Sequence, residues 1–453
     1  MSENVNTSLI VSVTVVAVIV LVLALRRVVV RREWDRPATT VFLFAVLSTS
    51  FVNILVTLLD QWTDTLDPFH NVVIGLPAWA YQLQLGFYVI VLAGALIILV
   101  RNILRPGATI AVPALLILLL VLLSDASALL HGDNVLRPYY LIFLAVIAAS
   151  TVSPRGMGVH LGIGTFAVIL AIASGFAVLV NYKFVAFSEC DADKCGALGV
   201  LFRGVFDNEN ALALYLAIAM PFVFIAFGVR IGTVLSAYLL LLVLITGSRS
   251  GMVAAAVTFV LLVVVRPSLN KPDVSTARIA ILYTSLSVAF VLGMVLPFVV
   301  DDPQAATGRA YLWILARSAL TDGSNLLFGS GALGWEHLRE TGKIDYSAVY
   351  SVHNQWLQVL FSTGICGMIL VIAAVVLLIK QAGRRYSLVV GCVLLPVMCL
   401  SVTERPWAID SVDWLVWALP AALTCYPARG GSPNNEQAEM STDDAPHAAG
   451  VPE

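Results

Sequence analysis

Long apolar runs separated by short polar breaks dominate this chain. A bilayer core about 30 Å thick is crossed by roughly 20 helical residues, and apolar runs of that order recur almost from one end of the chain to the other. They predict thirteen membrane-spanning helices, at 8–25, 38–59, 76–100, 109–123, 136–150, 158–181, 211–229, 231–246, 251–265, 279–300, 353–379, 386–402 and 411–426. The fold class expected is therefore an all-α, polytopic transmembrane bundle, with residues 1–426 as one membrane domain. No repeat of fixed period is visible. The first apolar run has no basic stretch before it and no small-residue cleavage site after it, so it is expected to be a retained span. The tail 427–453 is polar, acidic and poor in aromatics, and is expected to be disordered and cytoplasmic.

Composition agrees with this reading. Of 453 residues, 59% are hydrophobic and 12% charged, far from the balance of a soluble globular domain. The formal net charge of −2 provides no basic field for nucleic acid. The placement of charge is more informative. Strict alternation of the spans puts 26–37, 101–108, 151–157, 230, 266–278, 380–385 and 427–453 on one side, and those segments hold 16 of the 26 Lys and Arg but only 8 of the 28 Asp and Glu. Positive-inside bias makes that side cytoplasmic. The amino terminus is then outside, as are two long loops, 182–210 and 301–352.

Ten basic residues fall on the outer side, and most such residues are solvated or reach to headgroups. A few have unusual positions. Arg249 lies in Gly247-Ser248-Arg249-Ser250-Gly251, a connection so short that it stays close to hydrocarbon, where a charge needs a partner. A helix begins there with Ser248 or Ser250 as its cap, and a helix start beside a guanidinium makes an anion site. Arg203 precedes another helix start, with Asp207, Asn208 or Asn210 as cap. In the long loop, Arg309, Trp313 and Arg317 share one side of a predicted helix that is suited to lie along the interface. The turn-rich run Gly329-Ser330-Gly331-Ala332-Leu333-Gly334 permits close backbone approach.

His353, in Ser351-Val352-His353-Asn354, is expected in the first turn of the next span with Ser351 as cap. There the helix dipole disfavours imidazolium and leaves a neutral ring able to accept a proton. No set of Cys and His at metal-ligand spacing accompanies it, so no metal or other cofactor is expected. Cys190 and Cys195 share a polar outer loop and are expected to form a small local disulfide.

Four pieces taken in order resemble the O-antigen ligase/polymerase superfamily of bacterial membrane glycosyltransferases. They are Arg203-Gly204 with Asn208-Glu209-Asn210, then Ser248-Arg249-Ser250-Gly251, then Arg309 with Trp313 and the glycine turns, and finally His353-Asn354 with Gln358, Gly364 and Gly367. The resemblance covers about 136–423. It implies a GT-C-like helical fold of about 12–13 spans, twelve being usual among relatives. It also implies metal-independent, inverting transfer of a glycan from a polyprenyl-diphosphate carrier to an acceptor hydroxyl of a glycan, lipid or protein. The site would face the outside of the cytoplasmic (inner) membrane, with membrane lipids around it. In that reading Arg249 and Arg309, with Arg203, hold the diphosphate; Ser248, Ser250, Asn208 and Asn354 support the site; and His353 deprotonates the acceptor. The competing expectations are a transporter or flippase of lipid-linked glycans, which calls for charges at mid-membrane, and a scaffold whose arginines only bind headgroups.

Overall fold

The computed structural model describes residues 3–407 together with 419, 420 and 422. The principal gaps are 31–33, 67–71, 154–157, 188–194, 270–274 and 343–351, with 35, 107, 109, 136, 307, 322 and 341 as single omissions. The predicted span at 411–426 and the tail 427–453 thus lie outside the described residues, as do Cys190 and Ser351. The architecture is all-α and polytopic. Its helices are α1 (Glu3–Val30), α2 (Arg36–Val46), α3 (Thr49–Leu58), α4 (Ala78–Ile103), α5 (Val112–Leu130), α6 (Pro138–Thr151), α7 (Gly158–Val180), α8 (Tyr182–Val185), α9 (Glu209–Phe227), α10 (Val229–Thr246), α11 (Arg249–Leu269), α12 (Thr276–Val299), α13 (Arg309–Ala319), α14 (Gly323–Phe328), α15 (Gly334–Glu340) and α16 (Gln355–Leu400). Two small antiparallel pairs, Thr63–Leu66 with Val72–Gly75 and Ala186–Phe187 with Leu201–Phe202, trim the loops. Among the described residues eight helices are long and apolar enough to cross a membrane, or nine if α2 and α3 form one span.

One of the expected spans takes a different shape. The run at 38–59 is bent by 52° between α2 and α3. The break falls at Leu47-Ser48, where the Ser48 hydroxyl bonds back to the Ala45 carbonyl, and in the first turn of α3 Thr49 Oγ1 receives a hydrogen bond from Gln84 of α4 at 2.6 Å. Short hydroxyl side chains compete with the backbone in this way and bend helices. The opposite case is α16, whose helical assignment runs through 46 residues. A straight helix of that length reaches about 70 Å, yet the Gln355 N–H donates to the Ser401 carbonyl at 3.1 Å. Its two ends therefore meet. The reversal lies between the apolar stretches Gln355–Ala382 and Tyr386–Leu400, so α16 is a hairpin of the two spans expected at 353–379 and 386–402.

The centre of the bundle is α7 against α9, with 72% and 78% of their apolar windows buried, whereas α4 and α12 at 17% and 22% face outward. Small residues permit this close approach: a Cβ on Gly164 of α7 would come within 2.7 Å of the Phe222 carbonyl oxygen of α9. The contacts between loops sort into two ends. At one end Trp62 stacks on Phe184, the Ala197 N–H meets the Leu244 carbonyl, Ser127 bonds Gly329 and Arg137 pairs with Glu336 at 2.8 Å. At the other end the Ala111 N–H meets the Thr151 carbonyl and Asn102 bonds Ser153. The first group joins segments expected outside, and the second joins segments expected inside.

Candidate functional site

The site is built where the starts of α11, α13 and α16 come together with the chain leaving α16. Asn354 is the N-cap of α16: its side-chain oxygen accepts from the Leu357 N–H at 2.8 Å. Its amide nitrogen donates to the carbonyls of Gly293 and Val402, each at 2.9 Å. Asn354 thus ties the start of the hairpin to both α12 and the hairpin's own exit. Glycine is required at 293 for this approach, since a Cβ there would lie 2.6 Å from Trp356.

His353 therefore stands one residue before the cap, not in the first turn as expected, because Asn354 takes the capping role assigned to Ser351. Its φ of +49° is the left-handed conformation that non-glycine residues rarely adopt. Such a backbone persists where its surroundings over-determine it. Here the buried Val352 on one side and the fully buried Asn354 on the other do so.

The ring of His353 faces Glu404, a residue the sequence reading passed over. Glu404 is only 8% exposed and collects three partners. His353 Nδ1 lies 3.2 Å from its Oε2, the Ser250 hydroxyl donates to its Oε1 at 2.8 Å, and Arg309 forms a salt bridge with the same oxygen. Burial pushes the Glu404 pKa up, but the hydrogen bond from His353, the charges of Arg309 and His353 and the hydroxyl of Ser250 outweigh it, and the net shift is downward. An ionised carboxylate only accepts hydrogen bonds, so His353 Nδ1 is the protonated nitrogen. In the neutral ring Nε2 then carries the lone pair.

The remaining residues take the following places. Ser250 is half-buried in the first turn of α11 and spends its hydroxyl on Glu404 instead of capping the helix. Ser248 is buried, and its carbonyl accepts the first helical N–H, from Met252 at 2.8 Å, which puts it at the N-cap position. Arg249 is exposed beside this start and has no hydrogen bond or ion pair among the described residues. Asn208 caps α9, accepting from the Ala211 N–H at 2.8 Å. The contacts described for Arg203 lie within its own loop. Its guanidinium donates to the carbonyls of Phe184 and Asp207 and lies 3.9 Å over the Phe184 ring. Burial lowers its pKa, against the charges of Glu209 and Asp207. Cys195 is disulfide-bonded, while Cys366, Cys392 and Cys399 are free.

The helix α13 is not a free interfacial anchor. Trp313 is fully buried among Trp335, Val352, Leu357 and Phe361, and Arg317 bonds the carbonyls of Phe298 and Val300 and pairs with Asp301 at 2.8 Å. Cations at a helix C-terminus satisfy its orphan carbonyls, so Arg317 fastens α13 to the end of α12 and thereby sets where Arg309 points. The glycine turns act as expected: the N–H groups of Ser330 and Gly331 meet the carbonyls of Phe361 and Ser362, wedging the loop between α5 and α16.

Residues 234–372 match the model of the family described as O-Antigen ligase. No curated protein matches the chain. The matched stretch contains Ser248, Arg249, Ser250, Arg309, His353 and Asn354, and it ends before Glu404.

Proposed function

Since the chain carries this domain and belongs with the O-antigen ligase-like membrane proteins, which join glycans at the membrane, we propose that it transfers a glycan from a polyprenyl-diphosphate carrier to an acceptor hydroxyl on the outer face of the cytoplasmic membrane. The observation that carries this reading is the hydrogen bond between His353 and the buried, ionised Glu404. With Nδ1–H held by the carboxylate, Nε2 is presented as a general base.

In this mechanism Nε2 takes the proton of the acceptor hydroxyl as its oxygen attacks the anomeric carbon. The bond from that carbon to the diphosphate oxygen breaks, and polyprenyl diphosphate leaves with the electron pair. Attack opposite the leaving group inverts the anomeric centre. The charge growing on the leaving oxygen is met by guanidinium groups and a helix start, which are suited to phosphate oxygens. Arg249, exposed at the start of α11, and Arg309, with five N–H donors of which Glu404 engages only part, are placed for this. Arg203, bound to its own loop, is better suited to hold that loop in place. The reading routes no step through a metal. It also accounts for a cluster at helix ends, where a transporter calls for charges at mid-span.

The test is transfer in reconstituted vesicles supplied with a polyprenyl-diphosphate-linked glycan and an acceptor. The wild-type protein is expected to transfer, and His353→Ala to insert and melt normally while losing transfer. Normal transfer by His353→Ala overturns the mechanism.

A further inference from the structure

A second set of cations lies at the other end of the bundle. Arg27 from the last turn of α1, Arg230 from the first turn of α10 and Arg266 from the last turn of α11 line one pocket together with Phe227, Gly228 and Ile231. Positive-inside bias accounts for basic residues at this end one by one, but not for three of them, from three helices, facing one space. Arginines near a helix C-terminus usually bond the last carbonyls. Among the described residues these three have no hydrogen bond or ion pair, and the Nε of Arg27 is buried without a partner.

The backbone adds to the same field. The N-cap of α10 is Gly228, at φ +76°, which has no side chain to satisfy the N–H groups of the first turn. The last carbonyls of α1, α9 and α11 also end here, but their partial charges are smaller than the three full charges of the guanidinium groups, to which the first N–H groups of α10 add. Three guanidinium groups gathered at a membrane surface attract an anion, and phosphate oxygens match the fork of arginine donors. The apolar rim of Phe227 and Ile231 suits a phosphate that carries a hydrocarbon body. Basic pockets between transmembrane helices on the cytoplasmic side bind anionic headgroups in this way.

We propose that Arg27, Arg230 and Arg266 form a phosphate-binding pocket for an anionic lipid headgroup, at the end of the bundle opposite His353. The pocket is separate from the transfer chemistry and does not depend on it.

The full-length protein, purified and delipidated in detergent, is titrated with phosphatidylglycerol or phosphatidylcholine and read by native mass spectrometry. Phosphatidylglycerol is expected to bind and phosphatidylcholine not. Affinity for phosphatidylglycerol is expected to fall about fivefold for Arg230→Gln and on the order of a hundredfold when Arg27, Arg230 and Arg266 are all changed to Gln, from the usual contribution of each basic residue near an anionic surface. Arg230 is exposed, so its variant decides the matter if the triple variant does not fold. The corresponding triple Lys variant is expected to retain binding. Unchanged affinity in Arg230→Gln and in a folded triple Gln variant, or equal binding of the two lipids, overturns the proposal. Inorganic phosphate in millimolar excess separates the sources: no displacement supports a lipid headgroup, while displacement that the Gln variants abolish overturns the lipid as ligand and leaves a site for a free phosphate.

Discussion

At the scale of single residues, Glu404 is the group on which the proposed chemistry turns. Its carboxylate fixes which nitrogen of His353 bears the proton. Glu404→Gln keeps the shape, but its amide can present either an N–H or an oxygen to the ring, so the useful tautomer is no longer enforced. The expected result is a loss of transfer of about 10²–10⁴-fold, the usual range for disabling an acid–base group, with insertion intact, measured by glycan transfer in vesicles. The same residue predicts an acid effect on stability. Its folded pKa lies below the ordinary value of 4.5, so the stabilisation is present at neutral pH, above the unfolded value, and is lost as pH falls through the folded one. Melting temperature in detergent should drop below about pH 4.5, and should drop less in Glu404→Gln. His353 and Arg309 could be singled out in the sequence because a histidine or arginine at an outer helix start is unusual in itself. Glu404 could not, because its partners are 51, 95 and 154 positions away and only folding reveals them.

At the scale of elements, the site rests on glycines and caps that set how closely backbones approach. Gly331 has a φ of +83°, and a Cβ there would lie 2.4 Å from the backbone of Ala128 in α5. Gly331→Ala therefore meets both a strained backbone and a clash. It is expected to destabilise the protein by about 1–3 kcal/mol, seen as a lower melting temperature in detergent. Asn354→Ala removes a helix cap worth about 1 kcal/mol and also two bonds that join α16 to α12 and to its own exit. It should lower stability and transfer together, whereas Glu404→Gln lowers transfer first. The hairpin of α16 was foreseeable because Lys380, Arg384 and Arg385 interrupt an apolar run too long for one span. The bend between α2 and α3 was not, since three hydroxyl residues in an apolar run look harmless until Gln84 and Tyr88 are found opposite them.

At the scale of the whole molecule, the bundle has two ends with different chemistry. Alternating spans and the bias of Lys and Arg fix which loops belong together, and the contacts of the folded chain join the same sets: Arg309, His353, Ser250 and Glu404 at one end, Arg27, Arg230 and Arg266 at the other. The agreement has a physical origin, because a helix that crosses a bilayer leaves its ends on opposite faces and loops on one face can meet only one another. The expectation of which face is outside rests on charge alone. Single cysteines at exposed loop positions test it. Gln304 lies in the loop before α13 and Arg105 in the connection after α4, and both are exposed. With the site end outside, Gln304→Cys should react in intact cells with a thiol reagent that does not cross membranes, and Arg105→Cys only after the membrane is made permeable. The wild-type chain, whose free cysteines among the described residues, Cys366, Cys392 and Cys399, lie within α16, gives the background. The reverse labelling pattern would turn His353 and Glu404 toward the cytosol. A donor glycan presented on the outer face would then be out of reach, however well the histidine is poised.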